Sequence, residues 1–176
     1  MADLQYPIGK YSPPDTITED HVAGWIEDIR QFPSVIRSLV EGMTEEQLNT
    51  PYRPGGWTVR QVVHHTSESH LNSVIRFKWG LTEDEPLIKA YEQADWAETA
   101  DVNETPLELT LDFIDLLHAK WVLLLSSIKG DQWKRGILHP ETGTRMQLDW
   151  LAGMYAWHGK HHAAHVSGLI EREGWV

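Results

Sequence analysis

The chain has 176 residues, 41% of them hydrophobic and 23% charged, with a formal net charge of -11 at pH 7. That length suits one domain spanning 1–176 with a full apolar core, and the composition excludes a disordered chain, which lacks the large side chains needed to offset folding entropy. The acidic balance repels a phosphate backbone and argues against nucleic acid as a partner, while zero cysteines exclude disulfides, iron–sulfur clusters and zinc sites built on thiolates.

Residues 1–15 contain Pro7, Pro13 and Pro14 and no continuous apolar stretch, so they resemble neither a secretory signal nor a membrane anchor. Nowhere do about 18 apolar residues run together, and no membrane partner is expected. Thr16 with Glu19 forms a capping-box pattern that predicts a first helix with Val22, Trp25, Ile26 and Ile29 on one face. Pro33 is expected to break or kink it, the apolar pattern resuming at Val35 and running to about Met43. Thr44 with Gln47 predicts a short helical turn, followed by breakers over 51–56.

Thr58 is a good N-cap for a second long helix over 59–81. Residues 82–104 are acidic and irregular and predict a long ordered loop with one helical turn. Thr105 and Pro106 form an N-cap and first-turn pair for a third long helix over 107–128. Glycines and Pro140 predict turns over 129–145, with room for short strands, before a fourth helix over 147–172 that Gly174 ends. Four long helices predict an all-α four-helix bundle, whose interior can hold a metal between facing helices.

Without cysteine, any metal sits on histidine and carboxylate. Four of the ten histidines fall at 158, 161, 162 and 165. His158 and His162 are one helical turn apart, as are His161 and His165, so spacing alone does not choose between the pairs. At about 100° per residue, Leu148, Leu151, Met154, Tyr155 and Leu169 form an apolar arc with His158 near its middle. Phase therefore favours His158 strongly and His162 over His161 modestly. A third ligand comes from His64, His65 or His70 on the second helix. The His65 face carries Gln61, Glu68, Ser69, Asn72 and Arg76, which makes it either a solvated surface or one wall of a polar cavity.

Three neutral imidazoles suit zinc, nickel, cobalt or ferrous iron and leave a coordination position for water or substrate, an arrangement that is catalytic in type. Glu68, one turn after His65, is a candidate proton acceptor. Arg76 is a candidate for recognising a substrate carboxylate, with a salt bridge as the plainer reading. His21, His118 and His139 have no partner at ligand spacing and are expected to be structural or exposed.

The run Pro51-Tyr52-Arg53-Pro54-Gly55-Gly56-Trp57-Thr58-Val59-Arg60-Gln61-Val62-Val63-His64-His65 resembles the YfiT family of metal-dependent hydrolases in the DinB-like superfamily. So does Trp157-His158-Gly159-Lys160-His161-His162-Ala163-Ala164-His165. The likeness extends through Tyr6-Pro7-Ile8-Gly9, Lys134-Arg135-Gly136 and His139-Pro140. It implies a four-helix bundle, one divalent metal per subunit held by His65, His158 and His162, zinc or nickel as occupant, and a homodimer in the cytoplasm. Relatives often carry Asp where this chain has Glu68.

Some DinB-like proteins transfer low-molecular-weight thiols such as bacillithiol to electrophiles, so the resemblance leaves thiol S-transfer as the alternative to hydrolysis of a small-molecule substrate. A metal that only ties two helices together is a third reading. For the dimer, Gly153, Ala156, Ala163, Ala164 and Ser167 give the fourth helix a small-residue side that would allow close packing, either with a second copy or with a segment of the same chain.

Overall fold

A computed structural model describes residues 3–175. In chain order the helices are α1 (Glu19–Val40), α2 (Glu45–Leu48), α3 (Val59–Thr82), α4 (Gln93–Trp96), α5 (Ala100–Glu104), α6 (Leu107–Ser127) and α7 (Leu148–Glu173). A 3-10 turn at Gly130–Lys134 and an antiparallel pair, β1 (Gly136–Leu138) with β2 (Arg145–Gln147), join α6 to α7. The four long helices form the expected bundle: α1 and α3 each pack against both α6 and α7. Among the described residues, no helix is long and apolar enough to cross a membrane.

Local chemistry sets the helix ends, and twice it differs from expectation. The N-cap of α1 is Thr18, not Thr16. Its hydroxyl accepts from the His21 N–H at 3.3 Å, and His21 Nδ1 accepts from the Thr18 N–H at 3.1 Å. An imidazole nitrogen thus takes the place expected of the Glu19 carboxylate, a substitution that the Ser/Thr-x-x-Glu/Gln pattern overlooks. At α6 the N-cap is Pro106, while Thr105 instead ends α5, its N–H bonded to Asp101 O at 2.9 Å. The boxes at Thr44 and Thr58 form as expected, and Gly174 ends α7 in the left-handed region at φ 64°, where glycine carries no Cβ penalty.

Pro33 does not break α1, which runs on to Val40. Proline has no N–H to donate to the carbonyl four residues back. That carbonyl belongs to Ile29, and it accepts instead from His118 Nδ1 at 2.6 Å.

The 82–104 segment is more ordered than one turn. It contains α4 and α5 and buries Ile88, Ala97 and Val102. Among the ties that hold it, the Ile88 N–H bonds Leu138 O at 3.1 Å, the Leu138 N–H bonds Pro86 O at 2.9 Å, and Gln61 Nε2 bonds Ala97 O at 3.1 Å.

The small residues of α7 mostly face their own chain. A Cβ at Gly153 would lie 2.3 Å from Tyr11 Oη and 2.9 Å from Trp25, and one at Gly159 would lie 2.9 Å from Phe32. Ala156 and Ala163 are buried as well. This side of α7 receives α1 and the segment before it, so it gives no support to a dimer.

The core falls into two apolar clusters. One gathers Ile29, Phe77, Trp121, Leu148, Leu151 and Tyr155, and the other Phe32, Ile36, Val62, Val63, Ile114 and Val166. Between them α3 contributes His65 and His70, α6 contributes His118, and α7 contributes His158 and His162. The bundle therefore has a polar waist, and the site lies there.

Candidate metal centre

His65, His158 and His162 each offer a ring nitrogen, and the three atoms lie within 4.8 Å of one another. His65 and His162 are buried, at 3% and 6% exposure. Of the α3 face that allowed two readings, His65 lines a cavity, while Gln61, Glu68, Asn72 and Arg76 are half-buried and Ser69 is buried outside that lining. His65 Nε2 stands 3.3 Å from His158 Nε2. Two nitrogens bound about 2.0–2.1 Å from one tetrahedral ion are roughly 3.3–3.4 Å apart, so the donors present fit a zinc-like ion in type and in spacing.

The outer nitrogens are supported unequally. His158 Nδ1 lies 3.1 Å from His70 Nε2, and His70 Nδ1 lies 2.8 Å from His118 Nε2. His162 Nδ1 meets His165 Nδ1 at 3.4 Å, and His165 Nε2 donates to Gln5 O at 3.1 Å. His65 Nδ1 is buried without a hydrogen-bond partner among the described residues. Burial holds the cluster neutral, the form that binds metal. Desolvation pulls His65 down to about 4 and drives His70, His158 and His162 well below the usual imidazole value, with neighbouring imidazoles adding to the effect.

The triad opens onto a cavity of about 340 Å³ lined also by Tyr52, Arg53, Gly56, Trp57, His161 and His165. The segment before α3 shapes this wall. Tyr52 N–H bonds Trp57 O at 2.9 Å, and Gly56 leaves no room for a Cβ, which would lie 2.7 Å from Arg53 Cγ. That turn lays Trp57 against His65 with ring centroids 4.6 Å apart, and Tyr52 stacks on His165 at 3.9 Å. The composition of 51–56 marks a turn, but nothing in it says that the turn folds back over the histidines.

Other sequence expectations divide. His161 stays outside the triad and stacks on Trp157 at 4.5 Å. Glu68 is half-buried, and desolvation followed by the nearby Asp101 raises its carboxyl to about 7, yet it is not among the residues lining the cavity. Arg76 forms no salt bridge among the described residues, and its Nη1 donates to the buried Tyr155 hydroxyl at 2.7 Å. His118, expected to be structural or exposed, is 1% exposed and bonded at both nitrogens.

Comparison with known proteins agrees with this geometry. Residues 28–166 match the DinB superfamily. A Bacillus mycoides protein named "Putative metal-dependent hydrolase" is 45% identical over 99% of this chain and 100% of its own length. A Bacillus subtilis protein, YfiT, of the same description is 43% identical over 98% of this chain and 97% of its own. The solved structure of Bacillus subtilis YfiT, described as a probable metal-dependent hydrolase with an unusual four-helix bundle topology, superposes with a TM-score of 0.96 at 43% identity, covering 98% of this chain and 99% of that one.

Proposed function

This chain belongs to the DinB superfamily and within it to the YfiT family, and from that premise we propose that it is a metal-dependent hydrolase of a small-molecule substrate, with His65, His158 and His162 as the ligands. The observation that carries the reading is the convergence of three neutral imidazoles at the base of an open cavity. Nitrogen donors without thiolate favour zinc or nickel, one ion per subunit. A divalent ion there supplies Lewis-acid chemistry, polarising a carbonyl and making water acidic enough to attack near neutral pH.

The chain's own residues supply the rest. Trp57 covers the ligand His65, and Tyr52 covers His165, whose Nδ1 meets the ligand His162. Arg53, a cation lining the cavity, suits a substrate carboxylate. Glu68, one turn after His65 on α3 but outside the cavity lining, is the proposed proton acceptor through an intervening water, with its carboxyl brought to about 7.

Arg53 also suits the anionic groups of a low-molecular-weight thiol, which keeps bacillithiol-type S-transfer as the second reading. One screen separates the two. Esters, amides and small electrophiles are offered to zinc- or nickel-loaded protein with and without thiol, alongside chelator-treated protein and Glu68→Gln. Hydrolysis predicts product in water alone, its loss on metal removal, and a kcat about 100-fold lower for Glu68→Gln with metal affinity retained. Turnover that needs added thiol favours transfer, and turnover indifferent to the chelator overturns both.

We take the protein to act in the cytoplasm as a homodimer. The dimer draws its support from α6, where Leu109, Phe113, Leu116 and Leu123 are exposed along one side while the opposite side fills the core, leaving an apolar stripe of the kind that marks an interaction surface. Sedimentation is expected to give a dimer that Leu116→Glu with Leu123→Glu converts to a monomer.

A further inference from the structure

Each carbonyl inside an α-helix accepts from the N–H four residues on. Pro33 removes that donor from the carbonyl of Ile29, a residue only 1% exposed, and a buried carbonyl needs a partner. The partner is His118 Nδ1, at 2.6 Å, from α6. A helix-interior proline, costly on its own, thus opens one acceptor toward the polar waist.

That acceptor determines the protons of three rings. A carbonyl only accepts, so His118 Nδ1 carries the hydrogen. A neutral imidazole has a single one, which leaves His118 Nε2 as an acceptor facing His70 Nδ1 at 2.8 Å. His70 therefore holds its proton on Nδ1 and offers Nε2 to His158 Nδ1 at 3.1 Å. His158 in turn donates from Nδ1, and its Nε2 is a bare lone pair, 3.3 Å from His65 Nε2. Reversing any link would set two lone pairs or two hydrogens against each other. Phe32 braces the relay, its ring centroid 5.1 Å from His70 and 5.4 Å from His118.

We propose that Pro33, His118 and His70 are positioning residues that lock His158 in its Nδ1–H tautomer, so that Nε2 faces the metal site ready to bind. The inference rests on the metal-site reading above. It gives a role to two buried histidines that touch neither ion nor substrate. His65, whose Nδ1 has no partner, is left as the ring that moves its own proton when an ion enters.

The test begins with metal-free protein labelled with 15N-histidine, in which long-range 1H–15N correlations near neutral pH report which nitrogen of each ring is protonated. His118, His70 and His158 are all expected as Nδ1–H; a proton on Nε2 of His158 overturns the relay. Pro33→Ala returns an ordinary helical N–H to Ile29 O without threatening the helix. It is expected to mix the tautomers of His118 and His158 and to weaken zinc binding several-fold.

His70→Leu, with folding checked by circular dichroism, is expected to lower zinc affinity by about 10–100-fold, the usual effect of losing a ligand's outer partner. His70→Gln, whose amide oxygen can accept from His158 Nδ1–H, is expected to restore most of it. A folded His70→Leu protein with wild-type zinc affinity and an unchanged His158 tautomer overturns the proposal. Failure of the wild-type protein to bind zinc or nickel at all would overturn the proposed function instead, while the tautomer pattern would still decide the relay.

Discussion

Replacing His158 by alanine is expected to abolish activity and to lower affinity for zinc or nickel by more than about 100-fold, beyond the 10–100-fold that loss of an outer partner costs. His158 is one of three donors to the proposed site, and it is also where the buried relay ends, so its removal takes away a ligand and leaves His70 Nε2 without its donor. The second loss acts on the metal-free protein as well, through an unsatisfied buried acceptor worth about 1–3 kcal/mol. His161→Ala is the matched control. It removes an imidazole from the same helix and the same cavity wall, but one outside the triad, and most of the affinity should survive. Competition titration against a chelator measures both variants. Added metal should also raise the thermal midpoint of His161→Ala but not that of His158→Ala, because only a protein that binds the ion is stabilised by it. Equal loss in the two would mean that the triad has been drawn on the wrong side of α7.

The central position of His158 was legible because helical phase relates it to Leu148, Leu151, Tyr155 and Leu169, all on one continuous helix. His162 over His161 was a weaker inference, since two residues 100° apart both border an apolar arc whose edge is gradual. His118 was illegible as anything but a structural or exposed residue. Its partners are a carbonyl 89 residues away and a ring on another helix, and no spacing within α6 reports either. By its local rule Pro33 breaks or kinks a helix, and α1 is not broken there. The missing N–H and the freed carbonyl are what that rule describes, but tertiary packing supplied the carbonyl with a new donor and the helix continued. The same limit applies to Thr18, capped by an imidazole, and to the Tyr52–Trp57 wall, whose turn residues are plain in sequence while the surface they cover is not. Periodicity thus reported the four long helices and the inward faces of α1 and α7, while the His65 face of α3 stayed open between two readings. It did not report bonds formed between helices.

Acidification is expected to destabilise the metal-free protein from below about pH 6.5, before ordinary carboxylates titrate. Desolvation lowers His65 and His118 from 6.5 to about 4. Below pH 6.5 the unfolded chain therefore binds protons that the folded chain refuses, and stability falls as pH drops through the window from about 6.5 to about 4. Each such ring costs about 1.4 kcal/mol per pH unit inside that window. His70, His158 and His162 are shifted in the same direction and add to the loss. Glu68 opposes it: with its carboxyl raised from 4.5 to about 7, the folded state holds that proton more tightly, and its contribution grows as pH falls from 7 to 4.5. One carboxyl offsets about one ring, so the net slope stays that of the histidines. Denaturant unfolding between pH 7 and pH 5 is expected to show a loss of roughly 3 kcal/mol or more, and a flat or rising stability over that range would be incompatible with a neutral histidine waist. Zinc or nickel should push the fall to lower pH, because protons must then displace the ion from the triad before they can occupy it.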